Sequence, residues 1–394
     1  MRVAITGATG LLGRNLLFEI LKQNIKHLNN LEILIFSRPK DTFQASERIE
    51  DIIINDGLDY LDVRADAAPD ILKSIKTISF DLLSDSLAIS PDNLKLLVGK
   101  KVNVFFHVAA LTDFRSGKDI EKKLIETNVL GTQRICKLID SLDVDEIVFV
   151  GSAYSCGSKV GVVKPDYSNI NEVFRNPYEK SKLDAEINFI DFARKKKIKY
   201  RVFRPTTICG RLLEKPLGRT NKYDVFYSWV AFFLREKLKL TGDIKSIYDL
   251  PIEMPIRLRY NPRGGLNIVP ADYCAKVIYD VSVNDDPDVS YHVANPDITS
   301  NEFCGNEALK LLKITGAQYT LAEPIDKNSI EKLYYKTLGK IFIQYQIGEP
   351  ILFDITNLSC FYKRTKIHCP IINKQNYNFL MEYAKKDYFG VINK

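Results

Sequence analysis

Near its start the chain reads Val3-Ala4-Ile5-Thr6-Gly7-Ala8-Thr9-Gly10-Leu11-Leu12-Gly13, and no other segment restricts the fold as strongly. Val3–Thr6 reads as a short buried strand, and Leu11–Gln23 has the periodicity of an amphipathic helix. Gly7 can turn tightly off the strand, Gly10 lets backbone approach a bulky anion, and Gly13 lets the helix pack closely on the sheet. The N–H groups of the helix start, around Thr9, Leu11 and Leu12, then face that anion. With a strand before them and a helix after them, the spaced glycines have the context of a dinucleotide diphosphate site.

Apolar runs alternate with amphipathic stretches through the first two-thirds of the chain. Further strands are expected at Glu32–Phe36, Thr77–Phe80, Val102–Val108, Glu146–Val150, Tyr200–Arg204 and Ser290–Ala294, and helices over Ile120–Ser141 and Pro177–Lys197. Such alternation implies parallel strands with right-handed crossovers. The expected fold is therefore α/β, a Rossmann-type doubly wound parallel sheet over residues 1–210, completed within 266–295. In Asp41–Ser74, longer than an ordinary connection, Ala45, Ile49 and Ile52 at helical spacing suggest inserted helices. Residues 211–265 and 296–394 are expected to form a smaller, mostly helical substrate-binding region. Its helices are expected at Asn301–Leu312, Lys327–Leu338 and Lys374–Lys386, with irregular stretches between, and the proline-bearing Arg211–Leu266 reads as partly helical.

Composition narrows the function classes. A net charge of +7 is too mild and dispersed for a nucleic-acid binder. The run Arg194-Lys195-Lys196-Lys197 falls where a helix should end and cations suit its dipole, which favours a solvated terminus over a docking patch. Seven cysteines without a Cys-x-x-Cys pair fit reduced thiols, and four histidines without metal spacing offer no metal site. No apolar run reaches transmembrane length, and the N-terminal one is too short for a secretory signal, so a cytoplasmic location is expected.

The second strand ends in Ser37-Arg38. An acidic residue there would bind the ribose 2′-hydroxyl of NAD, whereas Arg38 suits a 2′-phosphate, so NADP(H) is preferred to NAD(H). Asp81, after the third strand, is placed either to accept from the adenine amino group or to stabilise a turn. The strand Glu146–Val150 runs into Gly151-Ser152-Ala153, which puts a hydroxyl where open parallel sheets bind ligands. Asn176-Pro177-Tyr178-Glu179-Lys180-Ser181-Lys182 follows, with Pro177 at a helix start and Tyr178 and Lys182 on one helix face. A free phenol titrates near pH 10, and the Lys182 ammonium is expected to lower that value while reaching the cofactor ribose. Tyr178 would then give its proton to a carbonyl oxygen that Ser152 also holds.

In this order the motifs resemble an extended short-chain dehydrogenase/reductase. The likeness rests on Thr6–Gly13, Asp81-Leu82, His107-Val108-Ala109-Ala110, Asn128-Val129-Leu130-Gly131-Thr132, Ser152, Tyr178, Lys182 and Arg204-Pro205-Thr206, and covers about residues 1–210. It implies that Asn128 belongs with the catalytic group by holding the active-site helix and its water. It also implies that Leu82, Ala109 and Ala110 line the cofactor site and that Pro205 and Thr206 lie against the nicotinamide. Within that superfamily His107–Phe114, Glu47-Arg48-Ile49, Leu266–Tyr273 and Tyr291–Asn295 are similar to the thioester reductase and fatty acyl-CoA reductase branch. Where that branch often has Ser-Thr-Ala, this chain has Gly151-Ser152-Ala153. The branch implies reduction of an acyl thioester, on coenzyme A or a carrier protein, to an aldehyde or onward to an alcohol. A homodimer is compatible with this reading.

Other readings are a sugar-nucleotide epimerase or dehydratase, a hydroxysteroid-type alcohol dehydrogenase, and a non-catalytic NADP sensor. The first usually has an acidic residue where Arg38 stands, and the last usually lacks Tyr178 or Lys182. Arg38→Asp is predicted to weaken NADPH binding far more than NADH binding, as measured by titrating each cofactor. Equal binding of the two by the unsubstituted protein would remove the basis for an NADP preference.

Overall fold

The computed structural model describes residues 1–40, 42–167 and 172–392. Asp41, at the head of the expected insert, lies outside the described residues, as do the last two residues of the expected C-terminal region. Seven parallel strands form the central sheet: β1 (Arg2–Thr6), β2 (Glu32–Ser37), β3 (Ile75–Ser79), β4 (Val102–His107), β5 (Val144–Val150), β6 (Lys199–Pro205) and β7 (Ser290–Val293). Their order is β7-β6-β5-β4-β1-β2-β3, so the direction of winding reverses at β1.

Both faces of the sheet are covered, which is why the inner strands are unbroken apolar runs. Val3, Ile5, Ile33, Ile35, Val104 and Phe106 point to one layer, where they meet α1 (Leu11–Gln23) and a later helix, Ala271–Val283. Ala4, Leu34, Phe36, Phe105, Ile147 and Phe149 point to the other. There they meet α2 (Gly131–Asp140) through Ile135 and Ile139, and α3 (Pro177–Lys196) through Ala185, Phe189 and Ala193.

The expected helix over Ile120–Ser141 is present, but its middle is a π-helical turn, Ile125–Leu130, between Lys118–Leu124 and α2. Asn128 sits in this widened turn. Such turns recur at functional sites because they re-aim a side chain without ending the helix. The insert is helical, with Ala45, Ile49 and Ile52 buried. The basic run occupies the C-terminal turn of α3. There Lys196 pairs with Asp140 at 2.5 Å and Arg194 donates to the Tyr200 hydroxyl at 3.1 Å.

A second apolar core lies in the later segments, built around the helix Phe226–Thr241. Two features there differ from expectation. Ile252–Arg259 is a strand, paired in parallel with Ile314–Thr320. Pro255 is accommodated by a bulge in its own strand: Met254 and Pro255 stand opposite the single residue Gly316, which lies at φ +86°. The expected helix Lys327–Leu338 is Ser329–Lys336, and after a break at Thr337 a further helix, Leu338–Ile347, follows where irregular chain was expected. No helix among the described residues is long and apolar enough to cross a membrane.

The tightest contact in the sheet layer is at the glycine loop: a Cβ on Gly13 would stand 2.1 Å from the Gly7 carbonyl oxygen. Gly13→Ala is predicted to lower unfolding free energy in denaturant by about 1–3 kcal/mol and to abolish dinucleotide binding. Unchanged stability would mean that α1 can move away from the loop at no cost.

Candidate active site

One cavity of about 570 Å³ runs along the carboxyl ends of the strands. Gly7, Thr9, Gly10, Leu11, Leu12, Gly13, Arg38, Asp81, Leu82, Ala109, Ala110, Ser152, Tyr178, Lys182, Pro205 and Thr206 all line it. Sequence positions scattered over some two hundred residues are thus brought to one surface. Asn128 is the exception among the expected residues: it is buried and does not line the cavity.

The loop end is shaped for a diphosphate. Gly7 turns at φ +80°, and a Cβ there would lie 2.7 Å from the Ala109 nitrogen, so only glycine permits the two strand ends to approach so closely. The first turn of α1 has neither a side-chain cap nor an acidic residue, which leaves its N–H groups directed at the cavity. Buried Asp56 of the insert gathers three cations nearby: Arg14 at 3.1 Å, Arg211 at 2.7 Å and Arg219 at 2.9 Å. Arg14 also donates to the Thr9 carbonyl at 3.3 Å, so an excess of positive charge stands behind the loop. Arg38 is exposed at the far end, and Arg48 donates to its carbonyl at 2.5 Å, which brings a second guanidinium to the same place. The Asp81 carboxylate accepts from the Leu83 N–H at 3.0 Å, the turn-stabilising role, while remaining on the cavity wall.

At the other end α3 starts cleanly, with Asn176 as cap accepting from the Glu179 N–H at 3.1 Å and Pro177 in the first turn. Tyr178 faces the hydroxyls of Ser152 and Thr112 with its phenol. Burial pushes its phenol up to about 12; the Asp224 and Glu179 charges add to that, and the two hydroxyls oppose it. This corrects the expectation of a phenol lowered by Lys182. The lysine is turned to the sheet, donating to the Val150 carbonyl at 2.7 Å with its ammonium 4.7 Å from the Phe149 ring centre. Burial pulls Lys182 down to about 8, partly offset by Glu186 one turn further along α3. Glu186 forms a buried, forked ion pair with Arg204, 2.5 Å at its closest. A Cβ on Gly151 would come within 2.7 Å of that carboxylate.

A buried chain of hydrogen bonds joins the two ends. The Val108 and Ala109 N–H groups donate to Thr6 Oγ1, each at 3.2 Å. Thr6 lies 2.8 Å from His107 Nδ1, and His107 Nε2 lies 3.0 Å from Thr132 Oγ1. The Thr132 hydroxyl donates to the Asn128 carbonyl at 2.6 Å, so the proton between His107 and Thr132 belongs to Nε2, and Nδ1 accepts from Thr6. The Asn128 side chain accepts from the Leu111 N–H at 2.7 Å and donates to Ser181 at 3.0 Å; Ser181 donates to the Tyr178 carbonyl at 2.9 Å. Asn128 therefore positions α3 and the Leu111 backbone from behind the wall.

Sequence reasoning did not find Thr112, Phe114, Asp224, Phe342 or Tyr345, all on the same cavity. Phe114 packs edge-on against Tyr178 at 5.1 Å, and Phe342 lies 5.7 Å from Phe114. Thr112 and Phe114 lie within the quoted His107–Phe114 motif, which was their available signal. Phe342 and Tyr345 belong to the helix that was not expected.

A family model described as male sterility protein matches residues 5–278. Fatty acyl-CoA reductase 1 of Mus musculus is 27% identical over 192 residues, which is 48% of this chain and 34% of that protein. The chain thus spans about a third of the length of that relative. The terminal R domain of the myxalamid PKS-NRPS biosynthetic pathway superposes with a TM-score of 0.71 at 19% identity, covering 100% of this chain and 92% of that one. UDP-glucuronic acid 4-epimerase from Bacillus cereus, solved with NAD, gives a TM-score of 0.59 at 14% identity, covering 99% and 98%. At these identities the structural likenesses establish a shared fold.

His107 is fully enclosed, and burial followed by the Lys182 charge pulls it down to about 3. The unfolded chain takes up this proton near pH 6.5 and the folded one does not, so folding stability falls as pH drops from 6.5 towards 3. The predicted slope from this residue is about 1.4 kcal/mol per pH unit. Denaturant unfolding across that range should show a shallower acid decline for His107→Gln than for the unsubstituted chain. Identical slopes would place the acid sensitivity elsewhere.

Proposed function

The chain belongs to the male sterility protein family, an NAD(P)-dependent branch of the extended short-chain dehydrogenases/reductases, and we propose that it reduces an acyl thioester with NADPH. The observation that carries this reading is the half-buried Tyr178, whose phenol faces the Ser152 and Thr112 hydroxyls on the cavity that begins at the glycine loop. Arg38, with Arg48 beside it, favours a cofactor bearing a 2′-phosphate. The glycine loop, Asp81, Leu82, Ala109 and Ala110 would hold the adenosine and diphosphate, and Pro205 and Thr206 would flank the nicotinamide. The reduced nicotinamide, when bound, supplies the hydride.

The remaining work falls to this chain's side chains. Ser152 would hold the substrate carbonyl oxygen by hydrogen bonding and so fix its position. Tyr178 would donate the proton to that oxygen. A phenol held up to about 12 is fully protonated at neutral pH, which suits a donor in the reductive direction better than a base in the oxidative one. Lys182 would bind the cofactor ribose with its ammonium. Phe114, Phe342 and Leu266, on the same cavity, would keep water from the reacting carbon. The mouse relative is a fatty acyl-CoA reductase, and that name supports a thioester substrate. Hydride and proton addition give a hemithioacetal; its C–S bond then breaks as the hydroxyl proton passes to the departing sulfur, so that a thiol leaves and an aldehyde is the expected first product, with alcohol arising from a second round at the same groups.

The test is a pH profile of kcat/KM with NADPH and acyl thioesters, followed by loss of nicotinamide absorbance. The profile should be flat at neutral pH and fall above about 8 as Lys182 loses the charge it holds below that value. Tyr178→Phe should lower kcat by roughly 10²–10⁴-fold while NADPH binding persists. Unchanged turnover in that variant, or consumption of NADPH only with sugar nucleotides, would overturn the assignment.

A further inference from the structure

In the reduction proposed above, Tyr178 gives up a proton and a negative charge stays behind on its oxygen. Few groups can hold that charge. Lys182 is turned to the Val150 carbonyl at 2.7 Å, with its ammonium 4.7 Å from the Phe149 ring centre. Ser152 has a single hydroxyl proton. Its oxygen already accepts from the Tyr154 N–H at 3.3 Å, and its proton is committed to the substrate carbonyl. The other hydroxyl that faces the phenol is that of Thr112.

Thr112 lies half-buried on the cavity, in the segment that leaves β4. The chain is held on both sides of it. Asn128 accepts from the Leu111 N–H at 2.7 Å and donates to the Leu111 carbonyl at 3.0 Å, and that carbonyl belongs to the peptide that carries the Thr112 nitrogen. On the other side the Asp113 carboxylate accepts from the Arg115 N–H at 3.0 Å and from its guanidinium at 2.6 Å. Between these ties Phe114 packs edge-on against the Tyr178 ring at 5.1 Å. The β-branch of threonine stiffens χ1, so its hydroxyl loses little freedom in meeting the phenol. Burial opposes a phenolate at this place, the Thr112 hydroxyl favours it, the Asp224 and Glu179 charges oppose it, and Ser152 favours it less than Thr112 does.

We propose that Thr112 is a further catalytic residue, whose hydroxyl donates to the Tyr178 oxygen and holds the negative charge that proton transfer leaves there. As the carbonyl carbon takes up hydride, the phenol O–H bond breaks and its proton bonds to the carbonyl oxygen. The electron pair of the broken bond stays on the Tyr178 oxygen, and a solvent proton restores the phenol before the next turnover. A hydrogen bond to a charged oxygen is stronger than one to a neutral oxygen. Thr112 therefore holds the transition state more tightly than the resting state, and its contribution falls on the rate rather than on substrate affinity. This role rests on the thioester reduction read above.

The test uses the full chain with NADPH and acetyl- or dodecanoyl-coenzyme A. Thr112→Val keeps the shape and removes the hydroxyl, whereas Thr112→Ser keeps the hydroxyl. The rate of NADPH loss in a single turnover should fall roughly 10–100-fold in Thr112→Val, with KM and NADPH affinity little changed, and Thr112→Ser should retain most of the rate. Placed on Tyr178→Phe, which forms no phenolate, Thr112→Val should bring no further loss. If Thr112→Val fails to fold, Thr112→Ala in the same two backgrounds decides. An unchanged rate in the folded Thr112→Val, a Thr112→Ser as slow as Thr112→Val, or an equal loss with and without the Tyr178 hydroxyl overturns this role and leaves thioester reduction standing. No turnover of either thioester by the unsubstituted chain overturns the thioester reading, and the role of Thr112 falls with it.

Discussion

The rest of the molecule depends on the close approach of Gly7 to Ala109 at the carboxyl ends of β1 and β4. Winding reverses at β1, so the chain leaves these neighbouring strands in opposite directions and a crevice opens between the departing segments. Any side chain at Gly7 would force the strand ends apart, since its Cβ would already stand 2.7 Å from a backbone nitrogen. Thr6 completes the contact by accepting two N–H groups from the end of β4. The same hydroxyl begins the buried chain through His107, Thr132, Asn128 and Ser181 to the backbone of Tyr178. The glycine-loop end and the Tyr178 end of the cavity are therefore one hydrogen-bonded scaffold, in which a neutral His107 has both ring nitrogens engaged.

A second buried arrangement supports the other side of α3. Tyr178, Lys182 and Glu186 recur every four residues and so share a helix face. Glu186 is held by the Arg204 fork, and its charge keeps Lys182 from being driven further down by burial. Gly151 is the residue this permits: the Glu186 carboxylate occupies the space a side chain there would need. That gives a local reason for glycine where similar chains often carry serine, and it leaves the hydroxyl to Ser152.

Much of the sheet was legible because strands covered on both faces are written as unbroken apolar runs between turns, and all seven appear within a few residues of their expected bounds. The Ile252–Arg259 strand was written equally clearly in the alternation of Ile252, Met254, Ile256 and Leu258, but Pro255 argues against a strand unless the chain bulges there, and Gly316, the residue that meets the bulge, lies far away in the chain. Leu338–Ile347 shows only a short polar stripe, Lys340 and Gln344, and its buried face includes the polar Gln346, so its helical periodicity is weak in the sequence. The π turn at Ile125–Leu130 interrupts no periodicity; a reason for it emerges only when Asn128 is seen reaching to Leu111 and Ser181.

By itself the sequence determined the glycine loop, the strand-end serine, the Tyr178–Lys182 spacing and the cationic end of β2, because each is a local pattern whose geometry follows from neighbouring residues. Only the tertiary structure decided how those groups behave. Burial is a sum over the whole fold, so the rise of the Tyr178 phenol to about 12 and the fall of Lys182 to about 8 could not be read from their spacing. The aromatic wall of Phe114, Tyr154, Phe342 and Tyr345 likewise exists only once the late helix docks on α3, since contacts between residues so far apart in the chain leave no periodic trace in it.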